Sequence, residues 1–481
     1  MIAARFHRVL SAAVLACAAI PRIAASGGPP ADLPALWAER AKCVVAVEYT
    51  VETESERRSM FGYGTVVDSM GTIVLPAGSI EANLPPSQLK DFKVFLPGDS
   101  TAWKATYLGQ DVFTGWHFVR AEAKVRAQVV PVTAFAARGP SPVPRIGEEL
   151  WGIGFRTKEE DFLPYLLESK LSIIQSLPDL TATALQEVSG PGLPVFNRDG
   201  VLVGLALESG EQQFQEYSQM SRGGETVLLV DVEESSIFEL ADDVLPNFNR
   251  IPGDVDGRPL AWLGADGLEP MDRDVANFLN LGAQSGAVVS EVLADSPAAK
   301  AGMQGHDIIL AIDGKALPRF RPDRVVVDYL EKQISRRRPG DLMRLTVLRG
   351  AAHVEITARL EDAPKLIREA KRQYFDGLGF TVREFVYQDA VQRRLKPGEA
   401  SGVIVHYVKS SSPAAVAGLQ PDDWIREIDG APIGSFDAAL DRLKAASQDP
   451  LRTECVLLVS HGGDTAVLRL KLNPEPAAAP R

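Results

Sequence analysis

The sequence predicts a mainly β chain that carries α+β modules, and three observations predict it. Residues 35–245 alternate short apolar runs with Gly, Pro and Asp, the pattern of an all-β barrel or sandwich. Further on, "SPAAKAGMQGHDIILAIDGKAL" from Ser296 recurs without a gap as "SPAAVAGLQPDDWIREIDGAPI" from Ser412. Each copy is then followed by an amphipathic stretch and two strand-like runs, which makes each copy one α+β unit. A chain of 481 residues has room for roughly three such bodies.

The chain opens on Arg5, His7 and Arg8, followed by an apolar run from Val9 to Ile20, a break at Pro21 and the small residues Ala24, Ala25 and Ser26. This order predicts an export signal over 1–25, cleaved near Ala25. The run is shorter than the ~20 residues that a spanning helix needs. The expected location is periplasmic or secreted. Val14-Leu15-Ala16-Cys17 offers an alternative, a lipobox that would make Cys17 the lipid anchor of an envelope lipoprotein. Of the two other cysteines, Cys43 lies in "CVVAV" and Cys455 in "TECVLLV"; buried free thiols are expected rather than a bridge.

The β region contains "CVVAVEYTV", "YGTVVDS", "GTIVLP", "FKVFLPG", "ELWGIGF" and "PVFNRDGVLVGLALESG", each bounded by turn residues. Residues 242–258 read as a linker. The two repeat units span 259–362 and 374–475. Their helices are expected over Asp323–Ser335 and Phe436–Ala446, and 476–481 is expected to be a disordered tail. Arg336-Arg337-Arg338 closes the first of these helices and reads as solvated cations at a helix C-terminus. The formal net charge of −12 disfavours nucleic acid as a partner. No Cys/His cluster has zinc-ligand spacing, and no cofactor or metal is expected.

Each unit also carries an upstream tetrad, Trp262-Leu263-Gly264-Ala265 and Gly377-Leu378-Gly379-Phe380, at matched distance before its Ser-Pro-Ala-Ala run. The combination resembles tandem PDZ domains of the bacterial type, the second tetrad spelling that family's GLGF loop. A β-barrel region followed by two such units resembles the HtrA (Deg) family of trypsin-like serine proteases, and the resemblance implies a trypsin-like double β-barrel.

Three motifs of that family can be laid on this chain. "GTIVLPAGSI" fits the motif that carries the general base, and Gly78 stands at the histidine. "DVFTGWHFVR" fits the loop that orients the base; Asp111 and Thr114 keep their places, but Gly115 stands at the aspartate. "SGPGLPVFNRDGVLVG" fits the nucleophile motif, and Pro191 stands at the serine. A Ser-His-Asp relay needs a hydroxyl, an imidazole and a carboxylate, which glycine and proline do not supply. Proline also lacks the backbone N–H that an oxyanion hole takes from this position. The expectation is therefore a pseudoprotease with no catalytic residues. Relocated chemistry would need Ser189 or Ser79 with His117, the one histidine between residues 30 and 300, and His117 reads more simply as a core or edge histidine. An active protease of that kind, or an inactive subunit assembled with an active homologue, is the alternative.

The resemblance implies protein or peptide C-termini as partners, bound through Leu263, Gly264 and Ala265 in the first unit and Leu378, Gly379 and Phe380 in the second, and a possible homo-oligomer. The second groove is expected to be the better one. Its strand "FTVRE" is uninterrupted, whereas Asp266-Gly267 breaks the first. Phe436, Leu440 and Leu443 read either as the opposite wall of that groove or as plain core.

Overall fold

The computed structural model describes residues 32–472 except 142, 177, 208–213, 218–225, 230–235, 254, 256–259, 396–400 and 450. The export signal, Cys17 and the C-terminal tail lie outside the described residues.

Six strands close the first barrel: Val44–Glu52, Arg57–Val66, Thr72–Leu75, Leu89–Phe95, Trp103–Gln110 and His117–Ala121. Their hydrogen-bonded order is first, second, third, sixth, fifth, fourth. The opening strand shows why a run of apolar residues can be buried on both faces. Side chains alternate along a strand, so Val45, Val47, Tyr49 and Val51 fill the barrel interior. Val44 and Ala46 point the other way, into a second core. That second core takes Phe95, Trp116 and Phe118 from the first barrel and Trp151, Phe155 and Phe196 from the second, and so cements the two together.

The second barrel is closed by Glu149–Phe155, Pro164–Ser176, Leu180–Ala184, Pro194–Asn197, Leu202–Ala206 and Ile237–Leu240, in the order fourth, fifth, sixth, third, second, first. The segment read as a linker from residue 242 is a linker only in its later part. Ala241–Val244 is helical, Leu245–Asn249 is a 3₁₀ turn, and Ala241, Val244 and Phe248 are buried in the inter-barrel core. The apolar residues in "DDVLPNF" are spaced to face one side, and that side belongs to the barrels.

Each repeat unit has its own core. In the first, the helix Val325–Ser335 lays Val325, Val326, Leu330 and Ile334 against a sheet built from Ile308–Ile312, Leu342–Arg349 and Ala352–Arg359. This helix starts two residues later than expected. In the second, the helix Phe436–Gln448 buries Phe436, Ala439, Leu443 and Ala446, and runs two residues further than expected because its apolar spacing continues. In both units a serine caps the short helix of the Ser-Pro-Ala-Ala run: Ser296 Oγ accepts from Ala299 N–H (3.1 Å) and Ser412 Oγ from Ala415 N–H (3.2 Å). Cys43 and Cys455 are buried free thiols, and burial pushes the Cys455 thiol up to about 12.

The units lie against the barrels. Lys332 and Arg336 of the first unit's helix pair with Asp179 of the second barrel, and Arg337 pairs with Asp313. Of the arginine triplet, Arg336 and Arg337 make ion pairs while Arg336 and Arg338 stay exposed at the helix end. Thr381 of the second unit donates to Glu54 of the first barrel (2.9 Å).

Candidate functional site: a degenerate catalytic corner and two carboxylate loops

The three motif loops meet where the barrels meet. Thr72–Leu75 ends at Pro76, and a single 3₁₀ turn, Ala77–Ser79, follows. A Cβ built on Gly115 would stand 2.9 Å from the Ala77 Cβ. A Cβ on Gly192 would stand 2.5 Å from Pro76 Cδ. Thr65 of the first barrel donates to the Gly192 carbonyl (2.8 Å), tying the nucleophile loop to the first barrel. Gly78 and Pro191 are exposed and Gly115 is half-buried, so the corner opens to solvent.

At the three motif positions the corner presents backbone, a proline ring and no polar side chain, with Ser79 half-buried beside Gly78. Gly115 sits at φ +74, a conformation that L side chains rarely adopt. Around Pro191, Gly190 N–H donates to Ile153 (2.9 Å), Gly192 N–H to Ala206 (2.8 Å) and Leu193 N–H to Gly190 (3.0 Å). Proline supplies no N–H of its own.

Ser189 and His117 are each buried and bonded within their own barrel, and Ser79 is half-buried in the turn at the corner. Ser189 is 2% exposed. Its hydroxyl donates to the Pro194 carbonyl (2.9 Å) and accepts from Ile153 N–H (3.2 Å), both in the second barrel. His117 is buried in the first barrel with Nδ1 2.9 Å from the Tyr107 hydroxyl. Burial pushes its pKa down to about 4, and the neighbouring Ala77 backbone acts in the opposite sense. Its Nε2 has no hydrogen-bond partner among the described residues. Ser189 and His117 thus take their partners from different barrels.

The two motif residues that the sequence retains, Asp111 and Thr114, build the loop. The Asp111 carboxylate accepts from Thr114 N–H (3.1 Å), the Thr114 hydroxyl (3.0 Å) and Arg250 Nε (2.7 Å). Gly115 N–H donates to the Asp111 carbonyl (2.8 Å), which sets the tight turn. Sequence reasoning missed Arg250, which sits in the segment taken for linker, and Gln110, whose Nε2 donates to the Gly115 carbonyl (2.8 Å). Gln110 in turn bonds Arg368, in the segment joining the two units.

The two tetrad loops differ in their backbone bonding. In the first unit, Leu263 and Ala265 flank Gly264, which has φ +81 and packs on Ser296; a Cβ there would lie 2.1 Å from the Ser296 Cβ. The carbonyls of Leu263 and Gly264 are taken by Ala298 and Leu293 N–H. The N–H groups of Leu263 and Gly264 donate to no backbone carbonyl among the described residues. Ala265–Asp266 pairs with Glu291–Val292 on one side only, and Gly267 (φ +58) interrupts the strand as expected.

In the second unit, Leu378 N–H (3.2 Å) and Gly379 N–H (2.7 Å) both donate to the Phe375 carbonyl, so they are not free donors. Phe380–Glu384 pairs on both edges, with Val403–Val408 and with Arg372–Phe375. Leu378 and Phe380 are fully buried in the domain core together with Phe436 and Leu443, and Leu440 packs beside them. Of the two readings open for Phe436, Leu440 and Leu443, the structure shows core packing. Gly379, at φ +75, faces Ser412 rather than a ligand.

Family models, relatives and solved structures match parts of the chain. Residues 267–360 and 404–456 each match a PDZ domain model. Periplasmic pH-dependent serine endoprotease DegQ of Escherichia coli (strain K12) is 35% identical over 163 residues, 34% of this chain and 32% of the relative. A probable periplasmic serine endoprotease DegP-like of Chlamydia pneumoniae is 23% identical over 388 residues, 78% of this chain and 69% of the relative. The matched portion is thus about a third of the first relative and about two thirds of the second. Among solved structures, HtrA-type protease AlgW with decapeptide aligns at 18% identity and TM-score 0.47, covering 69% of this chain and 98% of that one. The serine endoprotease from Yersinia pestis aligns at 16% and 0.47, covering 70% and 100%.

The fold defines a trypsin-like double barrel with two PDZ domains appended. That is the architecture of HtrA/DegP-type proteases, and the relatives above are named as periplasmic serine endoproteases. No helix among the described residues is long and apolar enough to cross a membrane.

Proposed function

We propose that this chain is a non-catalytic member of that architecture, exported to the periplasm or beyond, which recognises protein or peptide C-termini and serves as a scaffold, adaptor or regulator. The observation that carries the reading is the corner where Gly78, Gly115 and Pro191 converge. Those three positions hold no nucleophile, base or orienting carboxylate, and Gly115, at φ +74 with a Cβ position 2.9 Å from the Ala77 Cβ, leaves no room for one. Nucleophilic catalysis needs a hydroxyl and a base within hydrogen-bond reach. The burial and separate bonding of Ser189 and His117 speak against the alternative of relocated chemistry.

Recognition is assigned to the first PDZ unit. A peptide adds as a strand beside the strand that follows the tetrad, and loop N–H groups hold its carboxylate. Among the described residues, the strand Ala265–Asp266 of the first unit is paired on one side only, and the Leu263 and Gly264 N–H groups donate to no backbone carbonyl. Titrating the full chain with a peptide that has a free apolar C-terminus, and with its amidated twin, tests this. The free peptide is expected to bind at about micromolar strength, near −8 kcal/mol, and to slow hydrogen exchange at 263–266. Equal affinity for both peptides removes the carboxylate-loop assignment.

A further inference from the structure

The second PDZ unit has a groove that is already filled, and the filling is the chain itself. Residues 372–375, Arg-Gln-Tyr-Phe, lie antiparallel to Phe380–Glu384, with Arg372 opposite Arg383, Gln373 opposite Val382, Tyr374 opposite Thr381 and Phe375 opposite Phe380. A C-terminal ligand of this fold would take that edge, in that direction, ending at the loop. The likeness extends to the terminus. The Phe375 carbonyl receives the Leu378 and Gly379 N–H groups, which a ligand carboxylate would otherwise receive. The Phe375 ring is 5% exposed, 6.2 Å from the Phe380 ring, and the segment packs against the helix Phe436–Gln448.

The same segment is held from outside the unit. Arg372 donates to the Asn83 carbonyl of the first barrel (3.5 Å) and to the Ile367 carbonyl of the joining segment (3.2 Å), and within the unit it lies 2.8 Å from His406 Nε2. Arg368, four residues upstream, bonds Gln110, which holds the Gly115 carbonyl. One short stretch therefore fills the groove of the second unit and anchors that unit to the barrel that carries the degenerate corner.

We propose that residues 372–375 are an intramolecular ligand of the second PDZ unit, which accepts an external C-terminus only when this strand leaves. Capture would then be exclusive with the Arg372 contact to the first barrel. The first unit, with its open edge, is the resident receptor; this division rests on the reading of the first loop given above.

The test uses the full chain and a synthetic peptide of residues 370–375, Ala-Lys-Arg-Gln-Tyr-Phe, with a free carboxylate. Gln373→Pro removes an N–H from the pairing strand and should release it. In the unaltered protein the peptide is expected to leave exchange at 378–384 unchanged. In Gln373→Pro it is expected to slow exchange there at least tenfold, and the amidated peptide should not. Protection at 378–384 in the unaltered protein overturns the proposal, as does a folded variant that gains none. Should the variant not fold, native-state exchange of the unaltered protein decides. Amides of 372–375 are expected to open more readily than those of 424–428 and 454–459. Opening only together with those strands makes the segment an ordinary hairpin arm and overturns the proposal. Protection at 263–266 reports the first loop separately, so failure there is distinguishable from failure here.

Discussion

On the proposed reading, writing a Ser-His-Asp triad into this corner is expected to fail, and Gly115 is the reason. In Gly78→His/Gly115→Asp/Pro191→Ser the hydroxyl, the imidazole and the N–H of residue 191 all return. The carboxylate must be carried by a backbone at φ +74, with its Cβ starting 2.9 Å from the Ala77 Cβ. Real Cβ contacts do not come that close, so either residue 115 or the Ala77 turn must move, and the turn carries the new imidazole at residue 78. A left-handed non-glycine residue costs about 1–3 kcal/mol. For a barrel pair of this size each kcal/mol lowers Tm by about 2–4 °C, so Gly115→Asp alone should lose roughly 4–8 °C at a cost of ~2 kcal/mol. Gly115→Ala should do at least as badly, because aspartate tolerates this region better than alanine. A carboxylate that does not orient the base forfeits up to ~10⁴ in rate. Thermal melts of both single variants and casein digestion by the triple variant test this. Unchanged Tm in both single variants, or brisk digestion by the triple, refutes the steric reasoning.

Three further outcomes are expected. Gly379→Ala puts a Cβ 2.1 Å from the Ser412 Cβ at φ +75, and should destabilise the second unit by more than ~2 kcal/mol in urea unfolding; a neutral effect would mean the loop is not packed on its helix cap. Arg250→Ala strips the counter-ion from Asp111, which is 1% exposed, and should cost about 3 kcal/mol and loosen exchange at 111–116; unchanged exchange would show that the loop holds its shape without the pair. His117 is neutral in the fold, with its pKa depressed to about 4 against about 6.5 unfolded. The unfolded chain binds the extra proton between those values, so this contribution is complete above pH 6.5 and falls by about 3 kcal/mol by pH 4. His117→Gln should flatten that slope in denaturant titrations at pH 7 and pH 4.5, and an equal slope in the variant would deny the burial effect.

Much of the fold was legible because it rests on local patterns. Alternation in "CVVAVEYTV" and turn residues between runs located strands, and a gapless repeat located two equivalent units. The corner was legible because three loops had residue-by-residue frames that placed Gly78, Gly115 and Pro191. What stayed hidden depends on contacts between distant segments. The helix and turn of 241–249 look like linker until the inter-barrel core shows where Val244 and Phe248 go. The arginine triplet looks solvated until Asp179 and Asp313 meet it. "FTVRE" reads as an open strand, since nothing in its own residues says that Arg372–Phe375, a few residues upstream, takes its edge.

The central claim, that this chain does no covalent chemistry on its substrates, is tested most directly by intact-mass measurement after prolonged exposure to a fluorophosphonate at neutral pH. The account expects the full-length protein to keep its mass, with no adduct on any peptide containing Ser79 or Ser189. A stoichiometric adduct on either serine, lost in Ser189→Ala or Ser79→Ala and accompanied by casein cleavage, would contradict it.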